Sequence, residues 1–186
     1  DFLFYHLLPQ ERDQSRFAYE ADHIFFMDSY MLNWVRHFRS RSKEGAQIKA
    51  VKKNLVLISL QNSTAQRVYD FVIKSLRSLD RDRFDFVFLP RDVVPKRTES
   101  LPNVQIESEL NIYEMMLRAD IHITYFSTTA LEAAGVGISN VCLDLEGVAS
   151  AYYKSFYEHS DQFYYAGDTD DLAGYLSRWK EPSNQF

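Results

Sequence analysis

From residue 54 onward, short unbroken apolar runs alternate with longer segments that carry apolar residues on one stripe. The runs are "NLVLISL" (54–60), "FDFVFLP" (84–90), "VQIES" (104–108), "IHITYF" (121–126), "SNVCLDL" (139–145) and "QFYYAG" (162–167). An apolar run without polar alternation is what a strand buried on both faces requires. Between the first two runs, Val68, Phe71, Val72, Leu76 and Leu79 fall on one helical stripe. Ser63 and Gln66 have capping-box spacing at its start. Later, Asn111 and Glu114 suit a capped helix whose buried stripe is Ile112, Met115, Met116 and Ala119. "STTALEAAGVG" predicts a helix ending at Gly135 or Gly137, and "GVASAYYKSFYEHS" another. In the last one, capped by Asp168 or Thr169, Leu172, Tyr175, Leu176 and Trp179 form the stripe. This alternation predicts an α/β fold: a Rossmann-like, open, mostly parallel sheet with helices on both faces.

The first fifty residues read differently. "DHIFFM" predicts a strand and "DSYMLNWVRHF" a helix capped by Asp28 or Ser29, followed by the charged "RSRSKEGAQIKAVKK". Residues 1–50 are therefore expected to be the tail of a preceding domain plus a linker, and residues 51–186 the Rossmann-like domain. The start at Asp1, inside an apolar stretch, suggests a domain excised from a longer protein.

The chain has 186 residues and a hydrophobic fraction of 46%, enough for a domain-sized core. Its net charge of −5 gives no general case for nucleic-acid binding. The basic residues concentrate at Arg36, Arg39, Arg41, Lys43, Lys49, Lys52 and Lys53. They suit a solvated linker, or a peripheral contact with an anionic membrane surface or an acidic acceptor. One cysteine, Cys142, excludes an internal disulfide and fits a reduced core thiol in a cytoplasmic setting. No window approaches the roughly 20 apolar residues of a membrane span.

In an open parallel sheet, ligands dock beyond the carboxyl ends of the strands. The end with most chemistry is "TYFSTTALE" (124–132). A helix N-terminus there would offer N–H groups to a phosphate, and Ser127, Thr128 and Thr129 would add hydroxyls. Glu132, one turn on, is long enough to reach a ribose diol. The same letters also spell a plain capping box, Thr129-Ala-Leu-Glu132. At the other ends, Ser63 follows the first strand, while Arg91, Lys96 and Arg97 could meet a pyrophosphate or serve solubility. Asp144 and Glu146 could touch sugar hydroxyls or cap the next helix. Glycine-rich dinucleotide and P-loop fingerprints are absent. His122, inside a strand, is expected in the core. No histidine pair has metal-ligand spacing, and no Ser/His/Asp grouping can be argued. No metal or resident cofactor is expected. The tyrosine-rich segment 151–165 is expected to be a packed helix and strand rather than a domain-closing surface.

The order of elements and "RADIHITYFSTTALE" resemble the C-terminal, nucleotide-binding half of GT-B-fold glycosyltransferases. The flavour is that of bacterial enzymes of surface polysaccharide synthesis: capsule, lipopolysaccharide and teichoic acid. That resemblance spans about residues 54–180. It rests on a helix ending in Ala119-Asp120, the strand Ile121–Thr124, the hydroxyl pair Ser127-Thr128, and Glu132 five residues after Ser127. It implies that Ser127 and Thr128 hold donor phosphate through hydroxyls and backbone N–H groups, and that Glu132 holds the ribose. Two departures stand out. Tyr125 and Phe126 replace the usual aspartate and aromatic, and Leu89-Pro90-Arg91 replaces a histidine–proline, so that either Arg91 substitutes at the phosphate or the site is altered. The resemblance implies a nucleotide sugar as donor and a glycan or lipid-linked acceptor. The acceptor site and catalytic base would lie in the other half, so this chain alone would bind donor without turnover. A sugar-nucleotide 2-epimerase-like enzyme and a non-catalytic domain that keeps the fold are the alternatives.

Overall fold

The computed structural model describes residues 2–5, 23–26, 33–35, 37, 53–79, 81–157 and 162–180. Two short strands, β1 (Phe2–Tyr5) and β2 (His23–Phe26), pair in parallel as a sheet of their own. The main sheet has six strands: β3 (Asn54–Leu60), β4 (Phe84–Pro90), β5 (Val104–Ile106), β6 (Ile121–Thr124), β7 (Ser139–Leu143) and β8 (Phe163–Ala166). All its pairings are parallel, in the order β5-β4-β3-β6-β7-β8. The chain builds outward from β3 to β5, then crosses back to lay β6 on the other side of β3. The switch point of the sheet therefore lies between β3 and β6.

Among the described residues from 54 onward, five helices cover the faces: α1 (Ala65–Ser75), α2 (Ile112–Met116), α3 (Thr129–Gly135), α4 (Val148–Tyr157) and α5 (Thr169–Arg178). Strand alternation sorts the core into two layers. On one face, Phe84, Phe86 and Phe88 of β4 and Val56 and Ile58 of β3 pack with Val68, Tyr69 and Val72 of α1 and with Leu172 and Leu176 of α5. The Tyr69 and Phe88 rings lie 4.8 Å apart. On the other face, Leu57, Val87 and Leu89 meet Met115 and Met116 of α2 and Ala133 of α3. Cys142 packs there with Ala130, Ala134 and Tyr153. Val35, in helical residues 33–35, is also buried in this second layer.

Local signals account for the element ends. Asn111 and Glu114 form the expected capping box at α2. Asp168 caps α5 by accepting from the N–H groups of Asp170 and Asp171. Gly137, at φ 75°, closes α3: its N–H donates to the Ala134 carbonyl, and that of Ile138 to the Ala133 carbonyl. This is a Schellman closure, and its left-handed residue is why glycine stands there.

Two expected capping boxes do not form. Thr64, rather than Ser63, is the N-cap of α1, and Gln66 instead bonds the backbone of Lys96, tying α1 to the loop after β4. Thr128, rather than Thr129, is the N-cap of α3, and neither hydroxyl makes a cap bond. The Thr129 hydroxyl and the Glu132 carboxylate both have partners across the fold, Ser59 and Tyr113. The predicted helix start at Asp28 or Ser29, the basic stretch apart from Lys53, and the boundary between 40 and 53 lie outside the described residues. Lys53 sits 3.9 Å from Asp85 in an exposed pair. Among the described residues no helix is long and apolar enough to cross a membrane.

Candidate functional site

A cavity of about 600 Å³ opens at the carboxyl edge of the sheet, at the switch point. Ser59, Leu60 and Gln61 line it from the end of β3, and Leu89, Pro90 and Arg91 from the end of β4. The approach to α2 contributes Ser108 and Asn111, and its first turn Tyr113. The turn after β6 and the first turn of α3 contribute Phe126, Ser127, Thr128, Thr129 and Glu132, and α4 adds Tyr152. Five of the six candidate site residues therefore meet: Ser127, Thr128, Thr129, Glu132 and Arg91. The sixth, Ser63, is exposed in the turn before α1 and is not among the lining residues.

Ser127 is held by its backbone. The Tyr153 hydroxyl accepts from the Ser127 N–H at 2.6 Å and donates to the Ser127 carbonyl at 2.5 Å. Burial pushes the Tyr153 phenol well above its ordinary range, so it stays neutral and can keep both roles. The Thr129 N–H donates to Ser127 Oγ at 3.3 Å. Of the three hydroxyl residues, Thr128 alone keeps an N–H with no partner among the described residues. This corrects the picture of an open row of amide donors. With α3 only seven residues long, its dipole is a small contribution. Hydroxyls, the Thr128 N–H and the Arg91 guanidinium are what the site offers an anion.

Glu132 accepts from the Tyr113 hydroxyl at 3.1 Å. Burial, then the Glu132 charge and the bond to it, raise the Tyr113 phenol. The bond anchors a half-buried carboxylate at the cavity wall, where it can accept from hydroxyls. Phe126 and Tyr152 form an edge-to-face pair with centroids 4.6 Å apart, an apolar wall beside these polar groups. The tyrosine-rich segment thus divides: Tyr153 is core, whereas Tyr152 is 37% exposed and lines the cavity.

The loops after β3 and β4 are clipped together. Asn62 accepts from the N–H groups of Asp92 and Val93 and donates to the Asp92 carboxylate at 2.8 Å. That clip starts one residue after Arg91 and steadies the backbone that carries it. Lys96 and Arg97 are exposed and do not line the cavity. Asp144 takes the plainer of its two expected roles, accepting from the Ser150 N–H at 2.9 Å. Glu146 pairs with Arg67 at 2.8 Å in a left-handed backbone conformation, φ 66°. Neither acidic residue lines the cavity.

Sequence reasoning missed Tyr113, Tyr152, Phe126 and Ser59. It placed His122 in the core, correctly: His122 is fully buried. Its polar partners, Ser59 and Asn140, come from the two flanking strands. Among the described residues no group of three His, Cys, Asp or Glu side chains could hold a metal ion.

No protein-family model matches the chain, and no curated protein matches it. Solved structures do. The wall teichoic acid polymerase TagF aligns with a TM-score of 0.55 at 12% identity, over 83% of this chain and 43% of that one. A variant of the same enzyme, soaked with CDPG, aligns with a TM-score of 0.55 at 12% identity, over 82% and 42%. The chain thus spans less than half the length of these enzymes. At such identity the likeness is one of fold: the chain carries a Rossmann-like α/β domain of the kind found in part of that polymerase.

Proposed function

We propose that this chain is the donor-nucleotide-binding domain of a sugar-nucleotide-dependent glycosyltransferase acting in surface polysaccharide synthesis. The observation that carries the reading is the cavity at the switch point. One cation (Arg91), paired hydroxyls (Ser127, Thr128) and one anchored carboxylate (Glu132) converge there beside an aromatic wall. A pyrophosphate needs the first two, a ribose diol the third, and a ring can pack on the fourth. Donors placed where charge develops on a departing nucleoside phosphate lower the barrier to transfer. The groups named are side chains, so the reading requires no metal or resident cofactor. The solved TagF variant soaked with CDPG supports including a glycerol-bearing nucleotide among the donors tested.

On this reading residues 51–186 form the donor domain and residues 1–50 the end of a preceding one. That other half would supply the catalytic base and the site for a glycan or lipid-linked acceptor. The protein would work in the cytoplasm, with the basic stretch 36–53 touching the inner membrane face. A non-catalytic domain is the second reading. It is favoured by the Ser127 and Thr129 N–H groups being spent inside the protein.

Thermal shift with UDP, CDP, GDP, CMP, ADP and CDP-glycerol, repeated on Glu132→Ala, separates the two. A nucleotide at 100 times its Kd adds about 2.7 kcal/mol, a melting rise of about 5–10 °C for a domain of this size. The expected result is a selective rise, abolished in Glu132→Ala. No rise with any nucleotide leaves the scaffold reading.

A further inference from the structure

Three polar side chains in hydrogen-bond contact, Ser59, His122 and Asn140, interrupt the apolar layer between the sheet and α3. His122 of β6 is paired in register with Leu57 of β3 and with Asn140 of β7, so all share one sheet face with Ser59. His122 and Asn140 are fully buried. The Asn140 amide nitrogen donates to the Ile138 carbonyl at 3.0 Å, which directs Asn140 Oδ1 at His122 Nδ1, 2.8 Å away. A carbonyl oxygen only accepts, so the imidazole proton sits on Nδ1. Nε2 is then a bare lone pair, and it faces Ser59 Oγ at 2.8 Å. The Ser59 proton must point inward, to His122. Ser59 also lines the cavity and lies 3.3 Å from Thr129 Oγ1, which in turn donates to Ser127 Oγ at 2.8 Å.

We propose that the Asn140–His122–Ser59 relay holds Ser59 as a hydrogen-bond acceptor toward the cavity, so that the site selects a ligand presenting a hydroxyl there. His122 is a positioning residue in this scheme and never touches the ligand. Ser127 accepts from the Thr129 hydroxyl and N–H, which leaves its own proton to donate outward, toward an anion. The two cavity-facing serines, which flank Thr129 Oγ1 at 3.3 and 2.8 Å, therefore ask for opposite partners: an oxyanion at Ser127 and a hydroxyl at Ser59. A nucleoside diphosphate esterified to a sugar or polyol has both. A bare nucleoside diphosphate would bring a second oxyanion to an acceptor and be disfavoured. Burial without a countercharge lowers the imidazole pKa to about 4, in keeping with a group that stays neutral and keeps its role. The ligand half of this proposal rests on the nucleotide-donor reading. The relay itself does not.

Nitrogen NMR of His122 in the ligand-free protein tests the relay. A neutral ring protonated at Nδ1, unchanged between about pH 5 and 8, is expected. An Nε2-protonated ring, or one that titrates in that range, overturns it. The ligand half is tested by the affinities of UDP-glucose against UDP and of CDP-glycerol against CDP. At least one ester should bind about 3–10-fold better than its bare diphosphate, as one added hydrogen bond allows. That preference should persist in His122→Gln, whose amide can donate to Asn140 and accept from Ser59. It should vanish in Ser59→Ala, and shift toward the bare diphosphate in His122→Leu, where the Ser59 proton is released. A preference indifferent to Ser59→Ala overturns the acceptor assignment even if the tautomer is as expected. If none of the four nucleotides binds, the donor reading and the ligand half fall together, while the NMR result still decides the relay.

Discussion

At the scale of the residue, the site is made by side chains that local rules would spend elsewhere. Thr129 and Glu132 have the spacing of a cap, yet the threonine joins a hydroxyl chain and the glutamate takes a tyrosine from α2. His122 is the clearest case. With an ordinary pKa of 6.5 lowered to about 4, it is neutral in the fold while the unfolded chain binds a proton. The unfolded state therefore gains protons first as pH falls, and stability should drop between about pH 6.5 and 4 and level off below. The loss attributable to this group is roughly 3 kcal/mol. Urea unfolding of the wild type and His122→Gln at pH 7.5 and 4.5 measures it: the wild type should lose more than the variant by about that amount.

At the scale of the element, one residue just ahead of β6 does structural work. Asp120 accepts from the Leu55 N–H at 2.8 Å, and its own N–H donates to the Leu55 carbonyl at 2.9 Å. This pins the entry of β6 against β3 at the edge opposite the cavity. A register slip there would turn the Ser59–His122–Asn140 face around, since strand side chains alternate. Asp120→Ala strands a partly buried N–H and should cost about 1–3 kcal/mol. Chemical denaturation checks the cost, and nucleotide affinity should hold within about threefold while the domain stays folded. The stripes and the strand runs of these elements were legible in the sequence, because burial on both sheet faces leaves a periodicity that composition cannot hide. The caps were half legible. Asn111 and Asp168 cap as their spacing implies, whereas Ser63 and Thr129 do not, because the helices they precede start one residue away or recruit the expected capping partner for a distant contact.

At the scale of the whole molecule, strand order sets both stability and the place of the site. β3 and β6 lie at the centre, each flanked by two strands, and β3 carries Val56, Leu57 and Ile58 fully buried on alternate faces. β5 and β8 are the edges. Amide hydrogen exchange should therefore retain Val56–Ile58 and Ile121–Ile123 longest, by about tenfold or more over Val104–Ile106. Equal protection across the sheet would show that it opens as one unit. The same centre creates the switch point, so the two central strands deliver Ser59 and Phe126–Thr129 to the cavity.

The sequence by itself determined the class of fold and the succession of elements, since apolar runs and helical stripes are local records of burial. It also singled out the hydroxyl cluster, Glu132 and Arg91, because their types and their positions after strands are local facts. Only the tertiary structure decided which strand ends lie together. That brought Tyr113 to Glu132, Tyr153 to the Ser127 backbone, and Ser59 and Asn140 to the two nitrogens of His122. These contacts join residues 18 to 63 positions apart. They depend on strand order and register, which chain crossover sets and no local periodicity encodes.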